Sequence, residues 1–213
     1  MSETATWTGH GRLRTSGVSG TTERGFLVLA DISGFTAFVT ATELEHGPPI
    51  IAALLDAVIQ RIAPPLEVRE IEGDAVFALG PDGALVPPSA LLGVLRGAFA
   101  GFRELQRQMQ RDERCSCDAC RNIWRLRLKT IGHHGTFLHQ TVGGHAQVAG
   151  KDVILAHRLL KNHVSGRIDY ALLTAPALRH MDIDPARAGL ASHIEPYEHF
   201  GDVECYVGDL AAA

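Results

Sequence analysis

The sequence lacks the features that mark membrane, secreted and nucleic-acid-binding proteins. No uninterrupted apolar run approaches the roughly 18 residues that a membrane-spanning helix needs. Residues 1–25 are polar and rich in Gly, Ser and Thr, with no apolar signal-peptide segment, so we expect a cytoplasmic protein that makes no membrane contact. Twenty basic residues against 24 acidic ones give a net charge of −4, which argues against nucleic-acid binding through a basic surface.

Cysteine is also scarce, and its placement argues against a disulfide-stapled fold. Three of the four cysteines lie within six positions, unlike the dispersed even set of a disulfide scaffold. The 213 residues are 46% apolar and 21% charged, a mixture that excludes a disordered chain and supplies a core for one domain. We expect a flexible arm at 1–25 and a folded domain at 26–210.

Hydrophobic spacing predicts interleaved strands and helices in the folded domain. Apolar runs predict strands at 26–30, 66–71, 75–79, 126–130, 170–173 and 203–207. Helical spacing predicts helices that begin near Phe35, Pro48 and Ser89, and further helices at 153–160 and 176–181. A polar, cysteine-bearing connection spans 111–122, and the strand after it alternates apolar residues with basic ones such as Lys129, which we interpret as a solvent-facing side. The order favours an α+β sandwich with helices on one face of a mainly antiparallel sheet.

Two aspartates stand where strands end. Asp31 closes the first predicted strand, and Asp74 lies in the turn between the second and third. If these strands are neighbours, both carboxylates reach one sheet edge, where they can bind Mg²⁺ or Mn²⁺ and bridge a polyphosphate. Ser33 and Gly34 add backbone N–H groups at a helix start, which favour phosphate. The alternative is that Asp31 caps a helix and Asp74 only fills a turn.

Three segments carry a family resemblance. They are ADISGFT at 30–36, EIEGDA at 70–75 and GKDVILAHRL at 150–159, and they resemble the signature segments of class III nucleotidyl cyclases, which form cyclic AMP or cyclic GMP. The CxCxxC, HHG and HRLLKN motifs are similar to those of an uncharacterised bacterial family of cyclase-like domains. The resemblance spans about residues 26–207 and implies a ferredoxin-like core and a head-to-tail homodimer with composite sites.

The resemblance also implies roles for individual residues. Asp31 and Asp74 match the metal-binding aspartates, and Arg158 matches an arginine that stabilises the transition-state phosphate. Glu70 matches a base-recognition position; a carboxylate there accepts hydrogen bonds from guanine, which favours GTP. Gln147 falls at the second base-contacting position, and because an amide both donates and accepts, the choice between ATP and GTP stays open.

Two positions depart from the family pattern. Ile154 stands where the family has a ribose-orienting Asn, and Phe200 where it has a triphosphate-binding Lys; no lysine follows Lys161. We therefore expect a domain that binds a purine nucleoside triphosphate with a divalent metal and is a weakly active or catalytically silent regulatory module. An active cyclase is the alternative. Arg158 has its own alternative, a helix-surface residue paired with a carboxylate.

The cysteine cluster leads to a third hypothesis, a zinc-stabilised interaction domain. Structural Zn²⁺ takes four ligands, commonly Cys and His, and three cysteines are available at Cys115, Cys117 and Cys120. If the cysteines fold back against His133 and His134, these become the leading candidates for a further ligand, with His139 and Cys205 as others. The alternative is that the paired histidines are packing or turn-stabilising groups. The alternatives are reduced surface thiols or a redox-sensitive pair.

Overall fold

An eight-stranded sheet forms the centre of the structure, a computed structural model that describes residues 20–111 and 117–211. The strands are β1 (Thr21–Ser33), β2 (Glu67–Glu72), β3 (Ala75–Pro81), β4 (Arg127–Val142), β5 (His145–Ala149), β6 (Tyr170–Thr174), β7 (Ala191–Tyr197) and β8 (Gly201–Asp209). The helices are α1 (Phe35–Thr40), α2 (Gly47–Ile62), α3 (Ala90–Arg111), α4 (Asp118–Asn122), α5 (Lys151–Leu159) and α6 (Ala175–Met181). Among the described residues, none of these helices has the length and apolar character needed to cross a bilayer.

The strand order explains how distant segments meet. The sheet runs β2-β3-β1-β4-β6-β8-β7, and β5 pairs with the far end of β4. All pairs are antiparallel except β4 with β6. The predicted α+β fold with a mainly antiparallel sheet is therefore confirmed. Because β1 lies between β3 and β4, residues from three separate parts of the chain meet at its end.

The two faces of the sheet carry different cores. Phe26, Val28 and Ala30 of β1 belong to a large cluster that includes the apolar sides of α2, α3 and α6. Leu27 and Leu29 point to the other face, into a smaller cluster with α5. Most helices thus share one face as predicted, while α5 covers the opposite one. Burial on both faces explains why β1 reads as a continuous apolar run instead of an alternating one.

Strand β1 begins earlier than the sequence predicts. Thr21 pairs with His139 and Gly25 with Gly135, so five residues expected in the flexible arm belong to the sheet. Residues 1–19 of that expected arm lie outside the described ranges. Strands β5 and β7 were also absent from the prediction. Most of their residues are exposed, so they lack the apolar period that marks a buried strand.

Candidate functional site

Asp31 and Asp74 lie at the same end of the sheet. Asp31 is near the end of β1, directly opposite Ala75, the first residue of β3. Asp74 precedes that residue, and its carbonyl oxygen accepts a hydrogen bond from the backbone N–H of Ile32 at 3.0 Å. Burial raises the pKa of the Asp74 carboxyl, and the neighbouring charge of Asp31 raises it further. The two carboxylates therefore interact electrostatically, and a bound cation would relieve their repulsion.

A lysine completes this group. The ammonium nitrogen of Lys129 lies 3.0 Å from a carboxylate oxygen of Asp31, and the two side chains are only 18% and 14% exposed. Its charge also acts on Asp74, whose pKa it lowers in part. The alternation in β4 predicts a solvent-facing side for Lys129. Instead, Lys129 pairs directly with Asp31, and because paired residues project to the same face of a sheet, its side chain points into the site. Sequence reasoning missed this residue, and its only signal was a lone lysine within a strand pattern.

Ser33 and Gly34 form the turn that leads from β1 into α1. Gly34 has φ 90°, a left-handed conformation that favours glycine, and it caps a helix of six residues. Among the described residues, no side chain caps that helix. The turn thus lies just beyond Asp31, where we expect phosphate to bind on the basis of the sequence.

The two base-recognition candidates lie in different places. Glu70 is opposite Phe77, a member of the α5-side cluster, so it shares the sheet face of Asp31. Gln147 is opposite Gln140 on β4, eleven positions beyond Lys129. At about 3.3 Å per residue this is roughly 36 Å along the strand. Gln147 therefore lies many residues along the sheet from the level of Asp31.

Gln147 instead shares a small cavity with Arg69. This cavity of about 130 Å³ is also lined by His139 and Gln140. Arg69 lies at the register shift between Val68 and Glu70, where β2 bulges. The bulge places an arginine beside Gln147 that the sequence analysis had not singled out.

Helix α5 carries the arginine candidate on its outer surface. Arg158 is exposed, and Ile154, one turn earlier, is 53% exposed. Within residues 20–111 and 117–211, no carboxylate lies within ion-pairing distance of the Arg158 guanidinium. In the described part of the chain, Arg158 therefore does not form the surface ion pair that the alternative interpretation expects. Phe200 packs partly buried against the α5-side cluster, as an apolar residue in the place of a lysine should.

The cysteine connection contacts a histidine that sequence reasoning missed. His46, immediately before α2, has its Nδ1 atom 3.0 Å from the Sγ of Cys117. Ligand atoms of His46, Cys117 and Cys120 all lie within 4.8 Å of one another. Cys115 lies outside the described residues. A lone histidine 71 positions from Cys117 carries no local signal, so only the packing of the α2 start against α4 reveals it.

His133, His134, His139 and Cys205 do not lie beside Cys117 and Cys120, so the cysteines do not fold back against the paired histidines. His133 is buried and bonds the Thr174 hydroxyl at 2.8 Å, and His134 bonds Asp82 at 2.9 Å. His139 bonds Glu23 at 2.7 Å. Cys205 is fully buried in the α5-side cluster, where burial raises the pKa of its thiol to about 12. The histidines of β4 lie within the sheet, whereas Cys117 and Cys120 pack near the start of α2.

Solved structures with this architecture include nucleotidyl cyclases and a cyclase-like ATP-binding protein. The guanylyl cyclase Cya2 aligns with a TM-score of 0.64 and 13% identity, covering 88% of this chain and 92% of that chain. A class III adenylyl cyclase-like ATP-binding protein from Pseudomonas aeruginosa aligns with a TM-score of 0.60 and 16% identity, covering 76% of this chain and 35% of that one. At such identities the likeness shows the fold alone: this chain is a domain with the class III cyclase fold.

Sequence similarity places the chain in a narrower group. Residues 51–170, more than half of the chain, match the family described as "Protein of unknown function (DUF2652)", and the protein belongs to that family. The uncharacterized protein Rv2561/Rv2562 of Mycobacterium tuberculosis is 31% identical over 169 residues, which cover 76% of this chain and 74% of the relative.

Proposed function

We propose that this cyclase-like domain binds a purine nucleoside triphosphate together with Mg²⁺ or Mn²⁺, and acts as a weakly active or catalytically silent regulatory module. The observation that carries the proposal is that Asp31, in β1, and Asp74, in the turn directly before β3, lie at one end of the sheet, close enough for the charge of Asp31 to raise the pKa of the Asp74 carboxyl. Carboxylate oxygens are the ligands that Mg²⁺ and Mn²⁺ prefer. Bound there, the metal would neutralise the triphosphate next to the Ser33–Gly34 turn.

The residues around the aspartates support binding better than turnover. The ribose position is Ile154, which offers no hydrogen bond, and the triphosphate position is the partly buried Phe200. Loss of one transition-state contact typically costs about 10²-fold in rate, so losing two costs more than that. Lys129 also holds one of the Asp31 oxygens that a metal would take.

The placement of Gln147 supports a homodimer. Gln147 pairs with Gln140, eleven positions along β4 from Lys129, and its cavity is lined by Arg69, His139 and Gln140 and not by Asp31 or Asp74. In a head-to-tail pair, Asp31 and Asp74 of one copy would face Gln147 and Arg158 of the other. The protein would then form two composite sites, with the base held by one copy and the metals by its partner.

Arg158 favours a second candidate function, an active cyclase that forms cyclic GMP or cyclic AMP and pyrophosphate. Its guanidinium is exposed on α5, with no carboxylate of the described ranges in ion-pairing reach. A cation in that state is available to stabilise the negative charge that develops on a transferred phosphoryl group.

The test separates binding from turnover. Purified protein is titrated calorimetrically with GTP and with ATP in the presence of Mn²⁺, and cyclic product is quantified chromatographically in parallel. We expect nucleotide binding that weakens at least about tenfold in Asp74→Asn, because the neutral side chain no longer attracts the metal. Product that accumulates in the wild type and is lost in Asp74→Asn and Arg158→Ala would establish the active cyclase instead.

Glu104→Gln is the matched control, since it neutralises an exposed carboxylate on α3, on the other side of the sheet. It should leave binding unchanged. Glu70→Lys should shift any preference from GTP towards ATP, because an ammonium donates where the carboxylate accepts. Absence of binding to both nucleotides, or equal binding by wild type and Asp74→Asn, would contradict the proposal.

A further inference from the structure

Among residues 20–111 and 117–211, two clusters of side chains that could ligate a metal lie outside the proposed nucleotide site, and their geometries differ. One is His46, Cys117 and Cys120; the other is Asp82, His134 and His180. In the second, the two imidazole rings stack at 3.8 Å with an interplanar angle of 12°. Stacked rings point their in-plane lone pairs in parallel, not towards a common centre, and both Nε2 atoms contact the same Asp82 oxygen. That cluster is a network of contacts to Asp82 rather than a metal site.

The first cluster has the chemistry of a soft-metal site. Cys117 and Cys120 flank the start of α4, and the Cys117 sulfur caps the helix by accepting the Cys120 backbone N–H at 3.4 Å. The His46 Nδ1 atom approaches the same sulfur at 3.0 Å. Ligands of one tetrahedral Zn²⁺, with bonds of about 2.0–2.3 Å, lie about 3.6 Å from one another. Atoms that already lie within 4.8 Å therefore need only small side-chain movements to share an ion.

The structure assigns His46, Cys117 and Cys120 as three of the four ligands of a structural zinc ion. Thiolate and imidazole together select Zn²⁺ over the oxygen-preferring Mg²⁺ and Ca²⁺. Cys117 and Cys120 are partly exposed, so the ion can reach them from solvent. This site is separate from the nucleotide site and does not depend on the proposed function.

The zinc would join two segments that are far apart along the chain. His46 ends the connection between α1 and α2, while both cysteines belong to the start of α4. Beside them, the backbone N–H of Asp118 donates to the Glu43 carboxylate at 3.3 Å, a bond at the protein surface. A metal bridge would fix the α1–α2 connection against α4, and with it the helix that follows the Ser33–Gly34 turn.

The test is metal analysis of the full chain, expressed without a polyhistidine tag in zinc-containing medium and purified under reducing conditions. We expect about one zinc per chain. Competition with a chromophoric chelator should show that His46→Ala weakens zinc binding on the order of 10²-fold, and that His46→Cys, which keeps a ligand, restores most of it. Removing the metal with a chelator should lower the melting temperature of the wild type. The same treatment of His46→Ala should leave its melting temperature unchanged.

Two matched variants control for the loss of a histidine or a thiol elsewhere. His199→Ala removes an exposed histidine of the β7–β8 turn, and Cys205→Ala removes the buried thiol. Both should keep the wild-type zinc affinity. The proposal is overturned if the wild type carries no zinc and takes none up while its thiols are reduced. It is equally overturned if His46→Ala binds zinc as tightly as the wild type, or if Cys117 and Cys120 form a disulfide in place of a metal site.

Discussion

The ammonium group of Lys129 lies 3.0 Å from the carboxylate of Asp31, directly across the β1–β4 ladder. Both side chains are largely shielded from water, so this ion pair is stronger than one at the surface. Asp74 adds a second carboxylate within electrostatic reach of both. The candidate metal site therefore contains its own cation, and an incoming metal competes with Lys129 for Asp31.

Replacing Lys129 by Met tests this competition. Without the ammonium, Asp31 faces the charge of Asp74 alone, and the metal-free protein should lose about 1–3 kcal/mol of unfolding free energy. Mn²⁺ should restore much of that loss, because the ion takes over the charge that the lysine supplied. Urea denaturation with and without Mn²⁺ measures both effects.

Lys161→Met is the control, since Lys161 is exposed at the end of α5. Its stability should stay within about 0.5 kcal/mol of the wild type, with no dependence on Mn²⁺. If Lys129→Met loses the same stability with and without Mn²⁺, the lysine only supports the fold and does not compete with a metal.

The buried His133 should make the fold sensitive to mild acid. Burial lowers the pKa of His133 below its ordinary value of 6.5, with Asp152 opposing the shift in part. In the unfolded chain the same histidine takes up a proton near pH 6.5, so the unfolded state binds more protons below that pH. The contribution of neutral, buried His133 to the unfolding free energy is complete above about pH 6.5. It is lost as the pH falls towards the folded-state pKa of His133.

Melting temperatures measured between about pH 7.5 and 5.5 check this dependence. The wild type should lose stability across the range, and His133→Gln, which cannot titrate, should lose less. Part of the slope should remain, because burial also lowers the pKa of His134. His199→Gln, at an exposed position, should reproduce the wild-type profile; a His133→Gln profile just as steep would refute the assignment.

Gly25 tests whether β1 extends into the segment expected to be flexible. A Cβ at this position would collide with the Gly80 carbonyl oxygen and come within 2.7 Å of the Pro81 Cα atom. Because both are backbone atoms of the paired β3, they cannot move aside, and Gly25→Ala should cost about 1–3 kcal/mol.

Gly93→Ala is the matched substitution in a helix. A Cβ at Gly93, in α3, would meet nothing within 4 Å, so this change should stabilise the protein by about 0.5–1 kcal/mol. Chemical denaturation of both variants gives the comparison. Equal, small effects would mean that residues 21–25 are not held in the sheet.

The fold was predictable where burial leaves a pattern in the sequence. The apolar run at 26–30 and the helical spacing of Leu54, Val58 and Ile62 both correspond to buried elements. Strands β5 and β7 escaped prediction because most of their side chains are exposed and leave no apolar period. For Asp31 and Asp74, a strand end and a tight turn were sufficient to predict a shared sheet edge, whereas Lys129 required the β1–β4 register.

The order of apolar and polar residues by itself determined the α+β class and the position of two acidic side chains at strand ends. Which side chains face them was decided only by the tertiary structure. His46 meets Cys117 across 71 positions, and Gln147 lies far along β4 from Asp31, because strand register and helix packing join segments whose local sequences are independent of one another. The local pattern of apolar and polar residues determines the secondary structure of each segment. Long-range contacts determine which other segments its side chains meet.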